Sequence, residues 1–495
     1  GGGHRMVTSN LAHRIEEHDE EQIIAHESPV KYCSVALSDV IARGNRLEAS
    51  VFDVEAMQSR ALIAGGKYPQ TFLGGAEGIA TSYVCGRFKR IWVKTSDIPI
   101  YQPSSIVDIK PSPDGYISSK TKTNINALRV QKNQILMTCS GTVGKVSYVS
   151  ETLKDKVFSH DLLRIDCKNP NDAGYVYAYL KSSVGNQILC TNRYGAVITH
   201  IEPEHLATIP IPDAPAMLKN TIHHRIEKSY ALRDASNDLI DEATALLVKA
   251  LNLPPMDDIA PSFYEKDAEV DTFSVPLSRL SGRLEASYHV PIVDAVMERL
   301  RQNAAEVTMI GDPRISREVI LPGRFKRVYV DEGHGRVLIG GKQLYELDPA
   351  VKKYISGRKH EKILKKLEVY ENTILLTRSG TIGKVALVPK HWEHYIPSDH
   401  IIRIVPTSDD MAGYLYIFLA SDYAQPLIRR FTYGSVVDEI DDHHVRRIAV
   451  PLLKDHATQR KINDLALEAN EKRYEAYRLE QDALKMLNEQ IIFVK

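Results

Sequence analysis

The chain has 495 residues, of which 43% are hydrophobic and 25% are charged, a composition typical of a globular protein. Lys and Arg together total 63, as do Asp and Glu, so the formal net charge is zero and a wholly basic, histone-like binder is excluded. This length predicts about two to four domains rather than one core.

The N-terminal segment is polar. Its opening GGGHRM resembles an expression scar, with Met6 as the expected native start, and residues 1–36 are predicted to be this scar followed by a polar arm. No apolar run approaches the roughly 18 residues that span a bilayer. The five cysteines show no C-x-x-C spacing, so neither a disulfide framework nor a zinc site is predicted. We therefore expect a cytoplasmic protein without a membrane partner.

Most motifs of the chain occur twice. RLEAS at 46–50 returns at 283–287, and GRFKRIWV at 86–93 returns as GRFKRVYV at 323–330, which is 323 − 86 = 237 residues later. ILMTCSGTVGKVSYV from Ile135 returns as ILLTRSGTIGKVALV from Ile374. So many matches in nearly one register indicate two copies of one unit. The predicted units are residues 37–214 and 277–453.

Each unit is predicted to be α+β. A short helix or loop around RLEAS is followed by apolar, β-branched runs such as ILMTCSG and KVSYV, which predict strands joined by a tight S-G-T-x-G-K turn. AGYVYAYL and AGYLYIFL predict short helices. The proline-marked stretches IPIP (209–212) and IAVP (448–451) predict the closing strands.

A long helix is predicted after each unit, at residues 215–252 and 454–495, with residues 253–276 as the linker between the first helix and the second unit. Apolar and small residues recur every seven positions in both helices, and this spacing predicts that the helices pack closely on each other. The rows are Ile222, Ser229, Ser236 and Ala243 in the first helix and Ile462, Ala469, Ala476 and Ala483 in the second.

No catalytic motif is found. SGTVGK lacks the Walker A spacing, because only two residues separate Gly141 from Gly144 and Val146 follows the lysine. Asp166-Cys-Lys resembles the end of a nuclease motif, yet the second unit has Val-Pro-Thr there. We predict no catalytic residue and no metal site in this chain.

The histidines are predicted to be structural or exposed rather than ligands. His160 and His400 each stand beside an aspartate at the start of a strand, where a structural hydrogen bond is expected. The doublets His223-His224 and His443-His444 are predicted to lie on the exposed surface.

Basic and polar residues at equivalent positions of the units are the candidate DNA contacts. On a strand, Arg87 and Lys89 would share one face and Phe88 and Arg90 the other, and the cations would bind phosphates. The alternative is a solvated edge strand with Phe88 packed inward. The glycine turns offer hydroxyls and a lysine to phosphate, or are simply hairpin geometry. The predicted DNA contacts are Arg87, Lys89, Arg90, Ser140, Thr142, Lys145, Arg193, Tyr194, Arg324, Lys326, Arg327, Arg378, Ser379, Thr381, Lys384 and Tyr433.

Base recognition is predicted where the two units differ within a shared frame. Cys139 stands opposite Arg378 in the repeat alignment, and Arg193 stands opposite Thr432. Arginine can bind guanine through two hydrogen bonds, which cysteine cannot, so Arg378 is expected to contact either a base of the second half-site or a phosphate.

Two repeats of the form ILxTxSGTxGKV … YGxVxxxIxxxHxxxIxxP, each followed by a long helix, resemble the specificity subunit of type I restriction-modification enzymes. The resemblance extends from about Leu37 to Gln490. It implies two target recognition domains, each followed by a spacer helix, with the two helices pairing as an antiparallel coiled coil. Each domain would recognise one half of a split, asymmetric site in double-stranded DNA.

The resemblance also implies partners. The subunit would carry no cofactor and no catalysis of its own. It would dock two methyltransferase subunits, which use S-adenosylmethionine to methylate adenine, and restriction (motor-nuclease) subunits would join them in the full enzyme.

An antiparallel pair of helices would bring Arg233 and Lys472 together near its middle, since they are 472 − 233 = 239 residues apart, which is the repeat offset. Their repulsion requires that they turn outward or meet acids such as Asp234, Glu468 or Glu475.

Other functions remain open from the sequence. The chain could be an autonomous two-domain DNA-binding regulator, or a specificity protein of a related phage-defence system. A nuclease with an unrecognised motif and a scaffold that does not bind DNA are further alternatives.

Overall fold

The computed structural model describes residues 34–42, 45–191, 200–259, 272–280, 282–323, 325–358, 361–434 and 437–494. Helices and strands are mixed along all of this chain, so the coarse α+β class is confirmed. The predicted scar and arm lie outside the described residues up to residue 33, as does the middle of the linker, residues 260–271. No helix among the described residues is both long enough and apolar enough to cross a membrane.

The first repeat alternates short strands with helices and ends in a long helix. Its strands are β1 (Gln70–Phe72), β2 (Ala80–Val84), β3 (Trp92–Val93), β4 (Pro99–Tyr101), β5 (Gly115–Ile117), β6 (Ile135–Thr138), β7 (Val146–Tyr148), β8 (Val157–Phe158), β9 (Leu162–Cys167) and β10 (Pro210–Pro212). Its helices are α1 (Leu37–Ala42), α2 (Val54–Ala64), α3 (Ile125–Leu128), α4 (Ala173–Lys181), α5 (Ser183–Cys190) and α6 (Ala216–Ala250).

The second repeat has the same plan and follows the short helix α7 (Met256–Ile259). Its strands are β11 (Glu306–Met309), β12 (Ser316–Ile320), β13 (Tyr329–Val330), β14 (Gly335–Ile339), β15 (Lys353–Ser356), β16 (Ile374–Thr377), β17 (Val385–Leu387), β18 (Ile396–Pro397), β19 (Ile401–Pro406) and β20 (Ala449–Leu452). Its helices are α8 (Pro291–Asn303), α9 (Glu361–Leu367), α10 (Asp409–Ala420), α11 (Ala424–Arg429), α12 (Asp442–Arg446) and α13 (His456–Leu487).

Both repeats build the same three sheets. One four-stranded sheet has the order β2-β9-β6-β7 in the first repeat and β12-β19-β16-β17 in the second. A second sheet has the order β3-β5-β4-β8 or β13-β15-β14-β18, with a parallel outer pair in each case. A two-stranded antiparallel sheet joins β1 to β10 and β11 to β20. The repeated sequence motifs therefore fold into repeated topology.

Strand β6 supplies side chains to two separate cores. Ile135 and Met137 pack with helix α4, whereas Leu136 packs with residues of the second sheet. Successive side chains of a strand point to opposite faces, so an all-apolar strand is buried on both sides. Ile374 and Leu375 of β16 divide in the same way between two cores. This double burial explains why the runs ILMT and ILLT are apolar at every position but the last.

Helices α6 and α13, of 35 and 32 residues, pack side by side and run in opposite directions. Lys461 near the start of α13 pairs with Glu242 late in α6 at 2.8 Å. The hydroxyl of Ser229 donates to the carbonyl oxygen of Ala476 at 2.7 Å, which requires the two backbones to lie close together. Small residues at the heptad positions permit this approach, as predicted. The supercoil that the heptads indicate stays a prediction.

The expected meeting of Arg233 with Lys472 is corrected by the structure. Nη2 of Arg233 lies 2.9 Å from Oε1 of Glu480, and Nζ of Lys472 lies 3.2 Å from Oε1 of Glu468, one turn away on the same helix. Glu468, one of the three acids proposed as partners, is therefore the partner of Lys472. Asp234 instead accepts a hydrogen bond from the hydroxyl of Ser150 at 2.8 Å. The third, Glu475, lies 4.0 Å from Lys228.

Glu480 is the buried acid that the sequence analysis missed. Burial by itself would raise the pKa of its carboxyl, but Lys181 and Arg233 outweigh that effect and lower it to about 2. Lys181 lies 2.7 Å from the carboxylate, and the hydroxyl of Tyr177 donates to it. Since Lys181 and Tyr177 belong to α4, this network ties the last helix of the second repeat to the first repeat.

Candidate nucleic-acid interface

The basic phrase of the first repeat lies before a strand and not on one. Residues 86–91 have no regular secondary structure, and β3 begins at Trp92, which corrects the strand prediction. The alternation of exposure nevertheless holds: Arg87 and Lys89 are exposed, while Phe88 and Arg90 are half-buried. Phe88 packs edge-on against the ring of His160, with the centroids 5.6 Å apart. Arg87 and Lys89 thus remain the better placed for phosphate contact.

The second basic phrase is only partly equivalent. Arg324 lies outside the described residues, and Lys326 is exposed. The guanidinium of Arg327 forms an ion pair with Asp399, which removes it from the cations available to DNA. In the repeat alignment Asp399 takes the place of His160, because SHD at 159–161 is SDH at 398–400. The second phrase therefore offers less positive charge than its sequence predicted.

The two glycine turns have the same backbone. Gly141 and Gly144 have φ of +70° and +92°, and Gly380 and Gly383 have φ of +71° and +96°, a region that residues with a Cβ rarely adopt. In the first turn the hydroxyl of Thr138 donates to the carbonyl oxygen of residue 142 at 2.6 Å, and the same bond recurs in the second. The hairpin interpretation of these glycines is thus correct, whatever else the turns contact.

Four hydroxyl groups were predicted to contact DNA from these turns. Thr142 and Thr381 are exposed at the turn tips. Ser140 forms a backbone bridge to His200, and Ser379 forms the equivalent bridge to Glu439. The hydroxyl of Ser379 also lies 2.6 Å from Nδ1 of His400. The turn tips are accessible to a ligand, and their contact with DNA stays a prediction.

The lysines of the glycine turns are directed to the boundary between the repeats, and their predicted contact with phosphate stays a prediction. Nζ of Lys145 lies 3.0 Å from Oε1 of Glu346, which is 3% exposed. Lys384 lies over the ring of Tyr345, 5.0 Å from its centroid, and interacts electrostatically with Asp108. We name Asp108, Lys145, Glu346 and Lys384 the inter-repeat clasp.

The clasp is nearly symmetric. Asp108 and Glu346 form a backbone bridge to each other, and the N–H of Ile109 donates to the carbonyl oxygen of Tyr345 at 2.7 Å. Burial raises the pKa of Asp108 to about 7; Lys384 opposes this shift, and Glu346 adds to it. The acids are 346 − 108 = 238 residues apart, close to the repeat offset, and this recurrence is the signal that could have identified them.

Arg378 is held by neighbouring acids, and its predicted contact with a base or a phosphate stays a prediction. Its guanidinium lies 2.7 Å from Glu439 and 3.1 Å from Asp441, and its side chain is 11% exposed. Two backbone hydrogen bonds between Glu439 and Tyr433 close the same loop. Arg378 therefore positions the loop that carries Tyr433. Cys139, its counterpart, is buried, and burial raises the pKa of its thiol to about 11.

Two further predicted contacts, Arg193 and Tyr194, lie outside the described residues, so the proposed contrast of Arg193 with Thr432 stays a prediction.

The histidine predictions need correction. His223 and His444 are buried, not exposed. Nδ1 of His223 accepts the backbone N–H of Gly174 at 3.0 Å, and Nδ1 of His444 accepts that of Asp441 at 3.2 Å. His400 has the expected structural hydrogen bond, whereas Nδ1 of His160 is buried without a partner.

Carboxylates also lie beside both histidine doublets, which the sequence spacing did not indicate. His223, His224 and Glu227 bring possible metal-ligand atoms within 4.8 Å of one another, as do Asp441, His443 and His444. One ring nitrogen of each buried histidine is already bonded to the backbone, so these histidines have a structural role in the fold.

Residues 339–465 match the family model described as the type I restriction modification DNA specificity domain. The match begins at the end of β14 in the second repeat and continues into the start of α13. The resemblance stated from the sequence is thereby confirmed. The matched region contains Arg378, Ser379, Thr381, Lys384 and Tyr433, whereas the basic phrase at 323–330 precedes it.

Solved structures similar to the chain include the S subunit of a type I restriction-modification system from M. genitalium, with 15% identity over 86% of this chain and 96% of that one and a TM-score of 0.32. A structure described as showing the structural basis of complex assembly and conformational transition in the type I R-M system is also similar. It has 14% identity over 85% of this chain and 97% of that one, with a TM-score of 0.27. The HsdS subunit from Thermoanaerobacter tengcongensis has 13% identity over 85% of this chain and 99% of that one, with a TM-score of 0.26.

These TM-scores are too low to establish a shared arrangement of domains. No curated protein matches the chain. The family assignment therefore rests on the match to the specificity domain.

Proposed function

We propose that this chain is the specificity subunit of a type I restriction-modification system that recognises a split, asymmetric DNA sequence. The proposal assigns residues 37–214 and 277–453 to two target recognition domains. Residues 215–252 and 454–495 would be the spacer helices. The observation that carries the proposal is the duplication: one unit matches the DNA specificity family, and the other has the same three sheets in the same strand order.

The duplication supports a split site for a geometrical reason. Two copies of one fold, connected by a pair of antiparallel helices, would present equivalent surfaces to two segments of a duplex. The copies differ in charge at equivalent positions, as Asp399 in the place of His160 shows, and unequal surfaces favour unequal half-sites. We therefore expect the chain to recognise an asymmetric, interrupted sequence.

The exposed cations would supply affinity rather than sequence preference. Arg87 and Lys89 in the first repeat and Lys326 in the second are exposed. Phosphate contacts by such residues position the protein on the duplex, whereas base edges in the grooves determine sequence. The exposed turn residues Thr142 and Thr381 are the accompanying hydroxyl donors.

Catalysis would belong to partner subunits. The chain would dock two adenine methyltransferase subunits, which bind S-adenosylmethionine, and restriction subunits would join in the complete enzyme. This part of the proposal rests on the resemblance to specificity subunits.

Methylation sequencing tests the proposal. The chain is expressed in a methylation-free host with and without the methyltransferase encoded beside it. We expect adenine methylation at one interrupted, asymmetric sequence only when both are present. Methylation by the methyltransferase at the same sequence without this chain would contradict the proposal, as would cleavage or methyl transfer by the purified chain alone. A chain that binds DNA sequence-specifically but directs no methylation together with the methyltransferase encoded beside it would favour the autonomous regulator instead.

A further inference from the structure

Two arginines of the second repeat lie against the rings of Tyr288 and Phe431. The guanidinium carbon of Arg430 lies 4.3 Å from the ring centroid of Tyr288 and 5.6 Å from that of Phe431. The guanidinium carbon of Arg447 lies 5.4 Å from the centroid of Phe431. Arg301 lines the same open cavity, which has a volume of about 420 Å³. We name Arg301, Arg430 and Arg447 the arginine cluster.

The positive charge of this cluster is not neutralised by the surrounding residues. Within the described part of the chain, the guanidinium groups of Arg301 and Arg430 have neither an ion pair nor a hydrogen bond, and Nε of Arg430 is buried without a partner. Arg447 has a long contact of 3.5 Å to the hydroxyl of Tyr288. Glu306, the carboxylate in the cavity wall, is bound by Arg314 at 2.6 Å.

The electrostatic environment of Arg430 is consistent with a missing anion. Burial lowers the pKa of its guanidinium, and the neighbouring cations Arg447 and Arg283 lower it further. Tyr288 and Asp294 act in the opposite sense, but Asp294 forms no ion pair with it among the described residues. Partly buried like charges are costly unless an anion joins them.

The geometry selects the class of anion. A guanidinium stacked on an aromatic ring keeps its N–H groups at the ring edge, where they can bind phosphate oxygens in pairs. The cavity is open to solvent and wide enough for a phosphate group rather than a single small ion.

The cluster is continuous with the candidate nucleic-acid interface. The ring of His444 lies 5.6 Å from that of Phe431 and 5.5 Å from that of Tyr433, which is a predicted DNA contact. The same loop is fixed by Arg378 through Glu439. A duplex that contacts Tyr433 would therefore pass close to the arginine cluster.

The first repeat has no arginine at the positions equivalent to the cluster and to Tyr288. Subtracting the repeat offsets gives 288 − 237 = 51, 301 − 237 = 64, 430 − 239 = 191 and 447 − 239 = 208. These positions hold neutral residues, which are Val51, Ala64, Thr191 and Thr208. The cluster thus distinguishes the second repeat from the first.

We propose that Arg301, Arg430 and Arg447 form a binding site for a backbone phosphate of the DNA beside the second half-site. The site compensates for the second basic phrase, where Arg327 is paired with Asp399. It goes beyond the proposed function by giving the two recognition domains different phosphate anchors, and it rests on that function only in taking DNA as the ligand.

DNA binding by the full chain over a series of salt concentrations tests the site. The double variant Arg301→Ala/Arg447→Ala removes two exposed members and should reduce the slope of log K against log salt by about 0.9 for each phosphate that is no longer bound. Arg430→Gln should act in the same direction. The matched controls Arg299→Ala and Arg429→Ala remove exposed arginines from α8, which contains Arg301, and from α11, which ends directly before Arg430. Both should leave the slope nearly unchanged.

Backbone substitution identifies the phosphate. Uncharged methylphosphonate is placed at single positions in and beside the second half-site, once methylation sequencing has defined it. Wild-type binding should weaken at one or two positions, and the double variant should not respond to those same substitutions. Equal responses of the wild type and the double variant at every position would overturn the proposal even if the chain binds its site normally.

Other occupants give different results. Tight binding of inorganic pyrophosphate or a free nucleotide, abolished by the double variant while DNA binding is unchanged, would overturn the DNA assignment. So would loss of the methyltransferase partner with DNA binding unchanged. If the wild-type chain binds no DNA, the proposed function and this site both fail. A circular dichroism melt of each variant separates loss of binding from loss of folding.

Discussion

Lys145 of the first repeat and Glu346 of the second form an ion pair across the boundary between the repeats, with Nζ 3.0 Å from Oε1. The repeats are therefore joined directly, in addition to their connection through α6 and α13. Glu346 is buried, and Asp108 bridges its backbone. This ion pair gives the inter-repeat clasp a role in fixing the distance and orientation between the two repeats.

Replacing Lys145 by methionine should weaken that joint. Glu346 would remain buried opposite Asp108 with one cation fewer, and removing one partner of a buried pair costs about 3 kcal/mol. We expect a lower unfolding temperature in scanning calorimetry. Lys132→Met is the control, because Lys132 and Glu151 form an exposed pair at 2.7 Å within the first repeat, where the cost should stay below about 1 kcal/mol. Equal losses of stability in the two variants would show that the ion pair of the clasp stabilises the fold no more than an exposed pair does.

The clasp should also respond to pH through Asp108. Because the folded pKa is raised to about 7 from the usual 3.8, the stability contributed by the protonated carboxyl is fully present below about pH 3.8 and is lost as pH rises through 7. In Asp108→Asn this loss should disappear. Unfolding temperatures measured between about pH 5 and pH 8 should therefore fall less in the variant than in the wild type. A parallel fall in both proteins would exclude Asp108 as the titrating group.

Lengthening the two long helices tests what sets the spacing of the half-sites. One inserted turn, of about four residues, in both α6 and α13 adds roughly 6 Å. With the clasp intact, we expect the preferred spacing to persist or activity to fall. In the Lys145→Met background the spacing should increase by one or two base pairs, as read by methylation sequencing. An increase in the unmodified background would show that the helices alone set the spacing.

Glu480→Gln should strongly destabilise the helix pair, because it leaves Arg233 and Lys181 without their buried counter-charge. The folded pKa of Glu480 is lowered to about 2, so its stabilising contribution is fully present above about pH 4.5 and is lost as pH falls through 2. That difference corresponds to about 3 kcal/mol at neutral pH. Glu475→Gln, near the surface and 4.0 Å from Lys228, is the control. Urea unfolding of the two variants should separate them clearly.

The double variant Arg87→Ala/Lys89→Ala should weaken DNA binding without changing the sequence that is preferred. The salt slope should fall by about 0.9 for each phosphate that these cations bind in the wild type. Lys132→Ala/Lys154→Ala removes the same charge from the first repeat, at two lysines that pair with Glu151, and should have a smaller effect. A changed half-site in the methylation pattern would move Arg87 or Lys89 from the phosphate contacts to the base contacts.

The sequence by itself determined the duplicated plan of this protein. Repeated motifs predicted two units, and the apolar runs at Ile135 and Ile374 became the doubly buried strands β6 and β16, because local hydrophobic pattern decides which strands are buried. The glycine turns and the seven-residue spacing of small residues in the long helices were predictable for the same reason: steric limits on the backbone act over a few residues.

The tertiary structure alone decided which polar groups are partners. Lys145 has the sequence context of a phosphate contact, yet its partner Glu346 is 201 residues away in the chain. The sequence likewise predicted that Arg378 and Arg327 contact DNA and that Arg233 lies near Lys472. In the folded chain each of these arginines forms an ion pair with a carboxylate. A charge binds whichever opposite charge folding brings within a few ångströms, and that proximity depends on the packing of the whole molecule rather than on neighbouring residues.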